Sequence, residues 1–127
     1  MKAVYPAIFS PETVGGYSVI FPDLEGCITE GDSLTHALEM AQEALGLYLV
    51  SLEENKRTVP SASEINTREI KQGEFINLVM VELNQYRRDK QAKTTVTIPE
   101  WLKKAGEEAH VNFSGILQEA LRQKLGY

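Results

Sequence analysis

The stretch "KTTVTIP", Lys93 to Pro99, constrains this chain more than any other. On a strand its side chains alternate, Lys93, Thr95 and Thr97 to one side, Thr94, Val96 and Ile98 to the other. A strand this short is not stable alone, and nothing after it reads as a second strand. The residues beyond it are helical in pattern. Pro99 suits a first turn, where its missing N–H costs nothing. "PEWLKKAGEEAHV" then carries Trp101, Leu102, Ala105 and Ala109 at helical spacing. Gly106 weakens this helix by about 1 kcal/mol relative to alanine, so tertiary packing has to compensate. Asn112 can cap a second helix, "FSGILQEALRQKL", whose Ile116, Leu117, Ala120, Leu121 and Leu125 form one apolar stripe.

One strand and two short helices cannot bury a sufficient core. The lone strand also leaves a row of open N–H and C=O groups. Two copies related by a two-fold axis solve both problems: the strands form an antiparallel ribbon and four helices share one core. Val96 and Ile98 then face that core. Lys93, Thr95 and Thr97 of each copy form an outward polar ribbon, of a size that fits the major groove of B-DNA. There lysine donates to guanine, and threonine serves donor or acceptor edges.

The rest of the chain predicts an α+β unit. "KAVYPAIF" and "GYSVIFPDL" are β-rich and joined by the hairpin loop "SPETVGG"; "GCIT" adds a short third strand. Asp32 or Ser33 caps a helix with Leu34, Leu38, Ala41, Leu45, Tyr48, Leu49 and Leu52 on one face. It ends near "EENKRTVP", where Pro60 blocks continuation. "FINLVMVEL" (Phe75 to Leu83) is apolar on both faces, as a strand buried between neighbours and a covering helix would be. The reading is a small antiparallel sheet with one packed helix over residues 1–83, a linker over 84–92, and the strand–helix–helix unit over 93–127.

Charge divides the same way. Residues 1–90 hold 8 Lys and Arg against 14 Asp and Glu, or −6; residues 91–127 hold 5 against 4, or +1. No apolar run approaches the ~18–20 residues of a membrane span. The N-terminus is a poor signal peptide, so a cytoplasmic protein is expected. The single Cys27 excludes an internal disulfide and an all-cysteine metal site.

Catalysis finds little support. Asp23, Glu25, Glu30 and Asp32 are raw material for a two-metal site. Yet they flank Pro22, Gly26 and Gly31, where acidic residues form turns and caps, and no carboxylate interrupts "YSVIF". His36 and His110 lack a second ligand at zinc spacing. Cys27 reads as a small buried hydrophobe. No nucleophilic triad or phosphate-binding glycine loop is visible. The chain reads as a non-enzyme with no cofactor and no metal.

"TVTIP", the helix after it and "NFSGILQEAL" resemble the ribbon-helix-helix DNA-binding domain. "GYSVIFPDLEGCITEGDSLTHALEMAQEAL" is similar to the signature of HicB-family antitoxins, whose N-terminal domain is described as a partial ribonuclease-H-like fold. Together these resemblances imply a bifunctional antitoxin. Its first domain would bind and mask a HicA-type toxin, a small basic mRNA-cleaving ribonuclease with a double-stranded-RNA-binding-like fold. Its C-terminal homodimer, extended into a higher oligomer in some arrangements, would bind operator DNA of its own operon and repress it. The family's ribbon readers fall on Lys93, Thr95 and Thr97. The backbone at Asn112, Phe113 and Ser114 would hold a DNA phosphate, in agreement with the free N–H groups and dipole of a helix N-terminus.

There are departures. Two threonines stand where larger amide or arginine readers are common. His110-Val111 replaces a glycine-containing turn, although histidine tolerates the left-handed conformation. A tail charge of +1 is small for a DNA-binding unit, which points to tandem operator sites. Asp23, Glu25, Glu30 and Asp32 are the candidate toxin-facing surface, since complementary charge speeds encounter; the exposed sheet face or the Tyr17 edge is the alternative. Two other functions stay open at this level. One is an orphan regulator whose first domain senses a ligand or oligomerises. The other is a masking module whose tail dimerises without reading DNA.

Overall fold

A hairpin opens the chain. Strand β1 (Lys2–Pro11) pairs antiparallel with β2 (Tyr17–Ile20), Ile8 opposite Ile20 and Ser10 opposite Ser18. The loop closes through Glu12 N–H to the Gly16 carbonyl and Gly15 N–H to the Glu12 carbonyl, with Gly15 and Gly16 both at positive φ. Strand β3 (Ile28–Gly31) pairs with β2, and β4 (Phe75–Glu82) returns along the other side of β1. The sheet order is β3-β2-β1-β4. The computed structural model describes residues 1–64, 70–88 and 91–127.

Pro6 sits inside β1, where proline ordinarily argues against an internal strand. Hydrogen-bond parity explains it. Leu83 N–H donates to the Met1 carbonyl, so odd residues of β1 bond to β4 and even ones face β2. Pairing with β2 begins at Ile8. One step further, the register would set Pro6 against Pro22, and neither has an N–H to offer.

Helix α1 (Leu34–Glu54) covers one face of the sheet. Of the two capping candidates it uses Ser33, whose Oγ accepts from His36 N–H at 3.1 Å. Ala37, Ala41, Leu45, Gly46, Leu49 and Val50 are buried against Tyr5, Ala7, Phe9, Val19, Val79 and Val81. Leu34, expected in that stripe, is 45% exposed, and Ala37 takes its place. The first turns of α1 run so close to β3 that a Cβ on Gly31 would lie 2.3 Å from Ala37 N. On the buried face Phe9 stacks on its cross-strand partner Phe75 at 5.1 Å, with Tyr17 edge-on to Phe75.

β4 departs from expectation. It is an edge strand. Val79 and Val81 point into the core, whereas Leu78 and Met80 are each more than half exposed on the opposite face. Its two apolar faces are therefore not two buried faces. After β4 the chain makes a 3₁₀ turn (Leu83–Gln85) and packs back on α1. Tyr86 lies against Gly46, and Arg87 makes two bonds to the Glu53 carboxylate, at 2.8 and 3.1 Å. Residues 84–87, expected as linker, are thereby held on the first unit, while Asp89 and Lys90 lie outside the described residues.

The chain divides into two compact units, Met1–Arg87 and Arg88–Tyr127. The second holds α2 (Glu100–Glu108) and α3 (Phe113–Leu125). His110 turns the chain between them at φ 54°, in the left-handed region that histidine tolerates. Gly106 has its use here. A Cβ at that position would lie 2.6 Å from the Phe113 ring, so the glycine lets α2 and the start of α3 approach. Among the described residues the fold is α+β, a four-stranded antiparallel sheet with three α-helices. Among the described residues, no helix is long and apolar enough to cross a membrane.

Candidate functional site

The second unit carries the sharper candidate. Residues 91–99 join no sheet among the described residues, so Lys93, Thr95 and Thr97 are exposed and their backbone pairs with no strand of the same chain. Val96 and Ile98, expected to face a core, are 58% and 38% exposed. No residue of α2 or α3 is buried. Trp101, Leu102, Phe113, Ile116, Leu121 and Leu125 all stand in solvent in the single chain. A stripe of this kind is the face of a helix pair lacking its cover.

The start of α3 is capped by Asn112 and leaves first-turn N–H groups open. Asn112 Oδ1 accepts from Gly115 N–H at 3.1 Å, which fixes the cap. The N–H groups of Phe113 and Ser114, in the first turn, have no intrahelical acceptor. Asn112, Phe113 and Ser114 are thus together, exposed, at a positive helix end.

The four acidic residues of the first unit do not form one site. Asp23 is half-buried, and its Oδ2 accepts from both N–H and Oγ of Ser63, at 2.9 and 3.0 Å, tying the post-helix segment to the β2–β3 loop. Glu25 is exposed on that loop, whose carbonyl at Glu25 accepts from Tyr48 OH. Glu30 lies on β3, and Asp32 precedes α1 with its N–H bonded to His36 Nδ1 at 2.9 Å. Among the described residues no three His, Cys, Asp or Glu side chains converge as metal ligands would. Cys27 is buried, its thiol pushed up to about 11 by burial and directed at the Ala44 carbonyl, consistent with a packing role.

The sheet face opposite α1, which the sequence offered as the alternative contact, is open among the described residues. Val4, Ile20, Ile28, Leu78 and Met80 are exposed on it or along its margins. The signal is present in "FINLVMVEL", apolar on both faces of the strand, of which the structure buries one and exposes the other.

Known proteins share this geometry. Residues 5–120 match the family described as HicB-like antitoxin of bacterial toxin-antitoxin systems. The chain belongs to the HicB-like antitoxin family. That family is one of non-enzymatic components of toxin-antitoxin systems. Antitoxin HicB of Escherichia coli K12 is 31% identical over 65 residues, covering 51% of this chain and 47% of that protein. The chain spans 26% to 65% of the lengths of the curated relatives it first matches. Among solved structures, a toxin-antitoxin complex from Streptococcus pneumoniae is similar over 98% of this chain and 99% of its own, with a TM-score of 0.66 and 31% identity. A chain of the HicA3 and HicB3 toxin-antitoxin complex shares the fold over 63% of this chain and 99% of its own, with a TM-score of 0.53 and 21% identity.

Proposed function

We propose that this HicB-like antitoxin acts in the cytoplasm, where it binds and neutralises a HicA-type, mRNA-cleaving toxin through its first unit. Its second unit, a ribbon-helix-helix dimer, represses its own operon by binding operator DNA. The first unit is a partial ribonuclease-H-like fold put to binding rather than catalysis. The observation that carries the DNA-binding half is the exposed apolar stripe of α2 and α3 beside the unpaired segment Lys93–Pro99. A second copy covers the stripe and pairs the strand in one step. Lys93, Thr95 and Thr97 then read base edges, and the N–H groups of Phe113 and Ser114, capped by Asn112, grip a phosphate. With a charge of only +1 in residues 91–127, several dimers side by side provide the affinity.

The test is a gel shift of the full chain on its own upstream DNA across a salt series, with Lys93→Ala/Thr95→Ala beside it. A shift that weakens with salt and is lost in the variant supports repression by the ribbon. A wild-type chain that binds this DNA at no salt concentration refutes it. Rescue of cells expressing the HicA-type toxin reads the other half of the proposal independently.

A further inference from the structure

The acidic residues of the first unit are dispersed, and the edge of the sheet offers a better-defined contact for the toxin. Because Phe75, Asn77, Val79 and Val81 bond to β1, the N–H and C=O groups of Ile76, Leu78 and Met80 point outward from β4. Edge strands are ordinarily blunted by lysine, proline, a bulge or a covering element. Here the outward row is Ile76, Leu78 and Met80, with no charge before Glu82. Among the described residues, Gln42 reaches this row, its Nε2 donating to the Met80 carbonyl at 3.0 Å. The edge also borders a cleft. A cavity of ≈ 300 Å³ lies between α1 and β4, lined by Leu38, Glu39, Gln42, Leu78 and Met80 among others. A second, of ≈ 220 Å³, shares Gln42 and Met80 with it and continues to Tyr86.

We propose that an extended segment of the toxin adds to β4 as a fifth strand, seated in the cleft between β4 and α1; this rests on the antitoxin reading. Main-chain bonds to Ile76, Leu78 and Met80 hold the added strand. Its alternate side chains fall over the exposed Leu78 and Met80 on one face and beside Leu38 and Gln42 on the other. Charge selects the occupant. Glu39 of α1 lines the cleft, Glu82 and Lys2 line its continuation, and α1 itself carries no lysine or arginine. A basic segment is drawn to it. A second copy of β4 is not, because two-fold pairing would bring two acidic helices to the same seam.

The experiment is hydrogen exchange on the full chain, alone and with the HicA-type toxin, together with affinity measurements on two variants. Leu78→Pro removes an outward N–H and takes no hydrogen bond from the β1–β4 ladder. It is expected to weaken toxin capture by about tenfold or more, the loss of one backbone hydrogen bond and its geometry. Glu39→Lys/Glu43→Lys leaves the core untouched and is expected to slow association and flatten its salt dependence, which keeps the test decisive if the proline variant does not fold. On toxin binding, the amides of Ile76, Leu78 and Met80 should gain protection.

Capture by wild type with these amides unprotected and both variants unimpaired overturns strand addition and leaves the antitoxin reading standing. Absence of any capture by wild type overturns both. Edge amides already protected in the toxin-free chain, with assemblies that dissociate on Leu78→Pro, would assign the edge to a second copy and overturn the proposal.

Discussion

Gly46 offers a test in which two ordinary rules give opposite signs. It lies inside α1, where glycine costs about 1 kcal/mol relative to alanine, so helix propensity alone predicts that Gly46→Ala stabilises. The packing predicts otherwise. An alanine Cβ would stand 2.4 Å from Cδ2 and Cε2 of Tyr86, a distance that real Cβ contacts do not adopt. Either the ring leaves α1 or the 3₁₀ turn Leu83–Gln85 shifts, and overpacking of this kind costs about 1–3 kcal/mol. Taking the middle of that range, Gly46→Ala should destabilise the first unit by about 1 kcal/mol, a fall in Tm of about 4–8 °C for a unit this size. In a Tyr86→Ala background the obstacle is gone, and the same substitution should stabilise by up to about 1 kcal/mol. Thermal and urea unfolding of the four proteins, followed by far-UV circular dichroism, gives the complete cycle. Stabilisation by Gly46→Ala in the wild-type background refutes the reasoning. So does additivity of the two changes to within about 0.5 kcal/mol. The outcome matters for function, because Tyr86 and Arg87 fix where the chain leaves the proposed toxin-binding unit.

Two further predictions concern charge and assembly. The hydrogen bond from Arg87 holds the Glu53 carboxyl below its ordinary value of 4.5. The folded chain therefore binds fewer protons there than the unfolded chain, and this stabilisation is present above pH 4.5 and lost as pH falls through the lower folded value. Arg87→Gln should flatten the stability–pH curve in that acid window and leave its shape near neutrality unchanged, read from urea midpoints at successive pH values. Val96→Asp/Ile98→Asp should convert the proposed dimer to a monomer in sedimentation, since it buries unpaired carboxylates in the shared core at a cost of several kcal/mol. A variant that still sediments as wild type would show that these residues are not at the dimer seam.

Much of the architecture is legible in the sequence because it depends on local chemistry. The hairpin loop follows from Pro11, Gly15 and Gly16, the α1 start from the Asp32–Ser33 pair, and the α3 start from Asn112, each a short-range preference. The character of the second unit is legible for a different reason. Its two amphipathic helices follow from the spacing of their apolar residues, while the strand expected at Lys93–Pro99 joins no sheet among the described residues. Less legible are features that depend on distance through space. Asp23 reads as a turn former, yet its carboxylate is committed to Ser63, forty residues on. Residues 84–87 read as linker, yet Tyr86 and Arg87 close onto α1.

By itself the sequence determined the α+β character, the acidic first part, the helix boundaries and the family signature, because periodicity, capping and charge are properties of neighbouring residues. Which strand stands at the edge was decided only by tertiary structure. "FINLVMVEL" has the same alternation whether a fifth strand lies beside it or not. Only the pairing of β1 with β2 on one side and β4 on the other leaves Ile76, Leu78 and Met80 with outward hydrogen-bonding groups. Strand order is a long-range choice, made by the burial of Phe9, Val79 and Val81 under α1, and no local preference along β4 encodes it.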